Sequence, residues 1–291
     1  MAEEVIDYGG KKNSTWFQNK LRGLSNRYHK YKRFFLWDIH TILNKIEPDY
    51  SKIPLDSTPI LINNFNRLDL LKKQIDWLLE LEDNISIIIV DNLSTYPPLL
   101  EFYAQIKHPQ IQVVYLNFNS WRKGAEYLGE KKLKDFDKYI ITDSDLLPYP
   151  DTPKDLVSHL STLMDKYPDY NHIGTSLEIN DIPDKNPMKN KVIQFESDYW
   201  TPKTKELNNE VYVAKIDSTF AMYRRSSKVL KTYPALRTKR PYTLKHIDWY
   251  LAPSEFSEEY IYYLKSCKSF ATWATQLKKD ISKDEKILKN T

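Results

Sequence analysis

The chain has 291 residues, 41% of them apolar and 13% aromatic, with a formal net charge of +4. That length supports a substantial core, the composition excludes a disordered chain, and the small charge by itself says little about partners. A single cysteine, Cys267, excludes an internal disulfide and a cysteine-built zinc site, and no run reaches the roughly 20 apolar residues of a membrane-spanning helix.

Met1-Ala2-Glu3-Glu4 leads into a polar stretch without the apolar segment of a signal peptide, so the expected location is cytoplasmic. From Lys11 to Trp37 there is no acidic residue, while Phe17, Leu21, Leu24, Tyr28, Tyr31 and Phe35 recur at alternating spacings of four and three. This pattern is a basic amphipathic helix. Two readings are open for residues 11–37: peripheral contact with an anionic membrane, or packing against the rest of the chain or a second subunit. No nucleic-acid-binding motif accompanies the charge.

Pro48, Pro54 and Pro59 mark a linker. A regular alternation follows. Ile60–Ile62 is a buried strand, and a helix from about Asp69 carries Leu71, Ile75, Leu78 and Leu79 on one face. Ile85–Val90 is a second strand, Pro97 or Pro98 opens a helix through Ile106, and Ile111–Leu116 is a third strand. A helix near Ala125–Leu133 precedes a fourth strand, Tyr139–Thr142, and Asp151-Thr152-Pro153 opens a helix with Leu156, Leu160, Leu163 and Tyr167 inward. Strands and helices of these lengths predict βαβ units: an α/β fold with a mostly parallel central sheet and helices on both faces. Beyond Tyr170 the rhythm breaks into a mixed half, with strands at His172–Ile179 and Val211–Tyr223 and a charged tail at Lys278–Thr291. The expected organisation is an extension and linker at 1–57, a ligand-binding α/β half at 58–170 and a catalytic, acceptor-binding half with terminal helices at 171–291.

Each strand of the first half ends in polar residues: Asn63 to Arg67, Asp91 to Thr95, Asn117 to Gly124, and Asp143-Ser144-Asp145. This is the edge where open α/β sheets bind ligands. Two carboxylates one residue apart repel each other when ionised and favour a divalent cation, and hard oxygen ligands select Mg²⁺ or Mn²⁺, commonly shared with substrate phosphates. The chain has six glycines and neither GxGxxG nor GxxxxGK[ST], so phosphate binding must rest on a cation and side chains. An isolated Asp-x-Asp is also an ordinary strand-ending turn.

The ordered set resembles the family-2 glycosyltransferases of the GT-A fold over roughly residues 58–250. Asn64-Phe65-Asn66-Arg67 matches the turn after their first strand, Asp91 with Ser94-Thr95 the acidic end of the second, Asn117 to Gly124 the segment after the third, and Asp143 with Asp145 the Asp-x-Asp motif. The resemblance implies a metal-dependent transfer of a sugar, hexosyl in type and inverting in outcome, from a UDP- or GDP-sugar to a hydroxyl acceptor. That acceptor is a carbohydrate, a lipid-linked sugar or a glycoprotein, in polysaccharide, lipopolysaccharide or glycan synthesis. It implies that Asp91 accepts an N–H from the base, that Asn64, Asn66 and Arg67 flank base and ribose, that Asp143 and Ser144 sit near the ribose or the outer waters of the metal, and that Asp145 binds Mn²⁺ or Mg²⁺ directly. The third loop departs from the family in carrying Trp121, Arg122 and Lys123. Arg122 and Lys123 suit a diphosphate and Trp121 a sugar face, with helix–sheet packing as the alternative for the tryptophan.

In the second half, Ile216 to Arg225 resembles the family's late strand, and Lys245 to Tyr250 stands where a base carboxylate is found. Asp248 is the expected general base and Asp217 the second candidate. His246 fits a metal or diphosphate ligand, a base, or a structural histidine against Trp249. Arg224 and Arg225 are further candidate phosphate cations, and Trp200 and Trp249 candidate sugar platforms with core packing as the alternative. Two other functions compete: a sugar-nucleotidyltransferase, which requires a glycine-rich first loop absent from Asn63 to Arg67, and a non-catalytic scaffold, against which both Asp143 and Asp145 speak.

Overall fold

A computed structural model describes residues 37–39, 41–200, 205–206, 209–216, 220–225 and 235–267. The basic stretch 11–36, Asp217 and the tail 278–291 lie outside the described residues. The chain divides into two units, residues 1–46 and 47–291. In the first, the described residues up to 44 are helical, with Ile42 and Leu43 exposed. The proline-marked segment after it belongs to the second unit, where the Asp49 N–H donates to Gln112 Oε1 at 2.7 Å and the Tyr50 hydroxyl to the Lys132 carbonyl at 2.9 Å.

The second unit opens with the expected alternation: β1 Thr58–Asn64, α1 Asp69–Leu79, β2 Ile85–Asp91, α2 Pro97–Gln105, β3 Ile111–Tyr115, α3 Lys123–Lys132 and β4 Lys138–Asp143. Every residue of β2 is buried, as a strand covered on both faces requires. α1 buries Leu70, Leu71, Ile75 and Leu78 at helical spacing. α3 settles onto β4 at Gly129, where a Cβ would collide with the Tyr139 ring. The chain continues through β5 Leu146–Pro148, α4 Leu156–Lys166, β6 His172–Gly174, β7 Ser176–Leu177, α5 Lys189–Glu196, β8 Lys205–Glu206, β9 Val211–Val213, β10 Ala221–Arg224, β11 Ala235–Thr238, β12 Thr243–His246 and α6 Glu258–Ser266.

The main sheet has nine strands in the order β3-β2-β1-β4-β10-β6-β11-β9-β8. β3, β2, β1 and β4 are parallel, and β10 and β9 run against their neighbours. The two sequence halves therefore share one sheet, joined where β10 lies between β4 and β6. A second sheet of three strands, β5-β12-β7, was not anticipated from the sequence.

Three local expectations are corrected. The helix expected to open at Asp151 starts at Leu156, because the Asp83 carboxylate accepts from the N–H groups of Val157 and Ser158 at 2.9 and 2.8 Å. The strand expected over His172–Ile179 divides at Thr175, its first part in the main sheet and its second in the small one. The strand expected over Val211–Tyr223 is two strands, β9 and β10, three places apart in the sheet order. Across β6, β10 and β4 the rings of His172, Tyr223 and Tyr139 stack at 5.0 and 5.7 Å, and burial pushes the His172 imidazole down to about 4.

Candidate functional site at the strand ends

The parallel register brings the polar strand ends side by side. Asn63 of β1 is level with Asp143 of β4, and Asn64 is level with Asp91 of β2. Neighbouring strand residues point to opposite faces, so Asn63 with Asp143 and Asn64 with Asp91 form two couples on opposite sides of the sheet. Asp91 is 2% exposed. Its Oδ2 accepts from the Ser94 N–H at 2.9 Å, its Oδ1 from the Tyr103 hydroxyl at 3.1 Å, and the Asn64 amide donates to that hydroxyl at 2.8 Å. Burial pushes the Asp91 carboxyl up, against the hydrogen bonds from Ser94 and Tyr103. Asn66, also buried, accepts at Oδ1 from the N–H groups of Thr95 and Tyr96 at 2.7 and 3.0 Å, stitching the loops after β1 and β2 together. On the other face, the Asn63 amide donates to Asp143 Oδ1 at 2.9 Å.

The Asp143-Ser144-Asp145 turn is held from two sides. Gln74 of α1 donates to the carbonyls of Asp143 and Leu146 at 2.8 and 2.9 Å. β12 pairs antiparallel with β5, placing His246 opposite Leu146, and the Ile247 N–H donates to the Asp145 carbonyl at 2.9 Å. The small sheet thereby carries His246 to Asp145, with Nε2 3.7 Å from Oδ2 and the side chains 15% and 16% exposed. That separation is too long for a hydrogen bond. Asp145 Oδ1 and His246 Nδ1 are both buried without a hydrogen-bond partner. Trp249 stacks on the His246 ring at 4.7 Å and 6°.

Arg67 and Asp248 meet nearby. The guanidinium donates to Asp248 Oδ1 at 2.8 Å and Oδ2 at 3.4 Å, both side chains being at most 5% exposed. Arg67 also lies over the rings of Tyr260 and Tyr263 of α6, at 4.8 and 4.6 Å. Burial works to raise the Asp248 carboxyl, but the charge and hydrogen bonds of Arg67 outweigh it and hold the group below its usual range. Arg67 is thus engaged by Asp248 rather than facing a base or ribose, and α6 covers the loops after β1 and β2. Ser266 accepts from the Asn66 amide at 2.9 Å, and Tyr262 meets Thr95 at 2.9 Å.

The other candidates are dispersed. Ser144 is buried beside the aspartates. Arg122 pairs with Glu126 at 3.1 Å, and Lys123 is exposed at the start of α3. Trp121 is half-buried, its N–H held by Asn119 at 3.0 Å. Trp200 donates to the Leu177 carbonyl at 3.0 Å and carries Arg240 on its ring at 4.8 Å. Trp249 is 2% exposed, so it offers its face to His246 and not to a sugar in solvent. Arg224 is level with Lys138 at the far end of β4, and with Arg225 it lines a pocket with Asp137 and Asp165 there, away from the aspartate turn. Asp217 is among the residues not described.

Four non-glycine residues with left-handed backbone mark the same edge: Asn66 (φ 52°), Leu93 (61°), Trp121 (58°) and Phe220 (48°). Leu93, Trp121 and Phe220 each store about 1–2 kcal/mol there, whereas asparagine tolerates this region, and strain of this kind concentrates at functional sites. Asn63, Asn92, Gln74 and Tyr103 were not singled out from sequence. The first two sit within the polar strand ends, and Gln74 is a polar residue on the buried face of an amphipathic helix, which was a usable signal. Tyr260 and Tyr263 carried none.

Among the described residues no three His, Cys, Asp or Glu side chains form a metal-holding group. Asp145 and His246 nevertheless fit a shared cation. Two bonds of about 2.1 Å reach across at most about 4.2 Å, which spans the 3.7 Å between Nε2 and Oδ2; the unpartnered Oδ1 and Nδ1 are the other atom of each group.

No curated protein matches this chain. Among solved structures, S. aureus TarS 1-349 is 14% identical over 58% of this chain and 47% of that one, with a TM-score of 0.36. GalNAc-T7 with UDP, GalNAc and Mn²⁺ is 11% identical over 65% and 43%, with a TM-score of 0.46. A CMP:2-keto-3-deoxy-manno-octonic acid synthetase complexed with CTP is 12% identical over 59% and 76%, with a TM-score of 0.37. The chain spans less than half the length of the first two, and likeness at this level says nothing of substrate. The sequence model described as Glycosyl transferase family 2 matches residues 60–230, more than half of the chain and all four parallel strands with the aspartate turn, and the chain belongs to that family.

Proposed function

We propose that this chain transfers a glycosyl group from a nucleotide-diphosphate sugar to a hydroxyl acceptor, using a divalent cation held by Asp145 and His246. The observation that carries this reading is the approach of His246 Nε2 to within 3.7 Å of Asp145 Oδ2, too long for a hydrogen bond and short enough for one shared cation, at the strand-end edge of a family-2 sheet. Each side chain also has a second polar atom, Asp145 Oδ1 and His246 Nδ1, that is buried without a hydrogen-bond partner and that a bound ligand or water would satisfy. When bound, Mn²⁺ or Mg²⁺ supplies Lewis-acid neutralisation of the departing diphosphate.

The remaining roles fall to the chain's own groups. Asp143 and Ser144 face the ribose and diphosphate. Asp91, Asn64 and Asn66 shape the nucleotide site by fixing the loops after β1 and β2, and Arg67 does so through Asp248. Arg122 and Lys123 add positive charge at the start of α3. Asp248 is the proposed proton acceptor of an inverting reaction, with Asp217 second. A carboxyl held low by Arg67 is a weak base, so the Arg67 bond must loosen when the acceptor hydroxyl arrives. Donor sugar classes with UDP or GDP and acceptors of the polysaccharide, lipopolysaccharide, lipid-linked or glycoprotein kind all suit this arrangement.

The test is thermal stabilisation by UDP, GDP and CTP, each with and without Mn²⁺. The expected result is stabilisation by UDP or GDP that requires Mn²⁺ and vanishes in Asp145→Ala. Stabilisation by CTP with release of pyrophosphate would mark a nucleotidyltransferase. No response to any nucleotide would leave a non-catalytic scaffold.

A further inference from the structure

A chain of side-chain hydrogen bonds crosses the candidate edge from the loop after β3 to Asp143. The Ser120 N–H and hydroxyl donate to Asn92 Oδ1 at 3.2 and 2.8 Å, the Asn92 amide donates to Asn63 Oδ1 at 2.6 Å, and the Asn63 amide donates to Asp143 Oδ1 at 2.9 Å. Its direction is forced from both ends. A backbone N–H can only donate, so Asn92 must turn its oxygen to Ser120 and its nitrogen to Asn63. Asn63 must then turn its oxygen to Asn92 and its nitrogen to Asp143, and a carboxylate accepts there. Asn92 and Ser120 are 1% and 5% exposed, so a reversed amide would bury two facing acceptors.

We propose that Asn92 and Asn63 are positioning residues that orient the Asp143 carboxylate toward the cation and donor, and so couple the strained Trp121 loop to the aspartate turn. The proposal deepens the cation-dependent reading above and rests on it for the ligand, but not for the relay. Asn92 follows Asp91, the residue that family resemblance marks for the base. By the pleat of β2 it is Asn92, and not Asp91, that shares a face with Asp143. The β2 end thus serves the two faces with two residues: Asp91 toward Tyr103 of α2, Asn92 toward Asp143.

The experiment is a double-variant cycle on the full chain, read by thermal unfolding without metal and by affinity for Mn²⁺ alone. Asn92→Asp leaves Ser120 its acceptor but cannot donate to Asn63, nor to the carbonyls of Asn64 and Val90, which the Asn92 amide reaches at 3.3 and 3.4 Å. It is expected to lower the unfolding midpoint by about 5 °C, as the loss of one short buried hydrogen bond and two longer ones would. In Asn92→Asp with Asp143→Asn, Asn63 can flip and the relay runs backwards with each of its side-chain donors matched, so the midpoint is expected to recover the part of that loss owed to the Asn92–Asn63 bond, while the longer bonds to the Asn64 and Val90 carbonyls stay broken. Mn²⁺ affinity is expected to fall about tenfold in Asn92→Asp, in the range of supporting-residue losses at metal sites. The added negative charge alone would move it the other way, so a fall reports lost orientation. Asn63→Ala breaks the relay without adding charge and is expected to cause a similar fall in affinity. Additive stability losses in the double variant, or Mn²⁺ binding by Asn92→Asp and Asn63→Ala as tight as in the parent, would overturn the relay. A parent chain that binds no Mn²⁺ would instead sink the cation reading, and the stability cycle alone would then decide the relay.

Discussion

Two side-chain couples tie the parallel first half of the chain to the turn at 246–248, and they differ in one respect. Arg67 and Asp248 are charge-matched and nearly saturated: a 2.8 Å ion pair, two aromatic rings over the guanidinium and almost no exposure, although the Arg67 Nε is buried without a hydrogen-bond partner. Asp145 and His246 are not: 3.7 Å apart, partly exposed, each with a buried atom that bonds to nothing. Both couples join residues distant in sequence that lie at one sheet edge. The saturated one braces α6 and the first loop. The unsaturated one is the proposed cation position, because its facing atoms, Nε2 and Oδ2, are too far apart to bond to each other and close enough to share one bound group.

The comparison breaks most visibly at the brace. Asp248→Ala leaves the Arg67 charge buried alone and is expected to cost about 3–5 kcal/mol in denaturant unfolding. Because the Asp248 carboxyl is held low, its contribution is present above about pH 4, the ordinary value of a free aspartate, and is lost as pH falls through the depressed value. Asp248→Asn sharpens the same point: transfer lost with stability kept marks a base, whereas stability and donor affinity lost together mark a brace. At the unsaturated couple the expected pattern is the opposite. Asp145→Ala should leave metal-free stability within about 1 kcal/mol of the parent. It should also remove the Mn²⁺-dependent gain, about 2.7 kcal/mol at a hundredfold excess over Kd in the parent.

Smaller effects separate packing from function elsewhere. His172, stacked in its ring ladder and pushed down to about 4, is neutral in the fold. The unfolded chain binds the extra proton between about pH 6.5 and 4, so stability falls as pH drops through that window, by about 2 kcal/mol from pH 7 to 5. His172→Phe keeps the stack and should flatten that slope in urea titrations at the two pH values. Leu93, half-exposed at φ 61°, should gain up to about 1 kcal/mol on replacement by glycine, which adopts that conformation freely. A loss there would show that the leucine side chain is gripped by something other than backbone geometry.

The first half was legible because its signals are local. Strand β2 is an unbroken apolar run, α1 has one apolar stripe, and the polar strand ends fall into register as soon as the strands are parallel. The second half was legible only in part. Its strands are two to four residues long, too short for a period to declare itself, and the division at Thr175 sends one apparent strand into two sheets. The late start of α4 depends on Asp83, a residue some 70 positions away in the chain, which no local pattern announces.

By itself, the sequence determined the parallel sheet and the edge at which Asp91, Asp143 and Asp145 stand, since hydrophobic periodicity and the pleat need no long-range information, and its ordered strand-end motifs carried the family resemblance. Only the tertiary structure decided what those residues touch. It turned Asp91 to Tyr103, paired Arg67 with Asp248, and used a small sheet without a sequence signature to bring His246 to Asp145. Which partner a buried polar group finds is set by packing between elements far apart in the chain, and that is the one quantity a pattern along the chain does not contain.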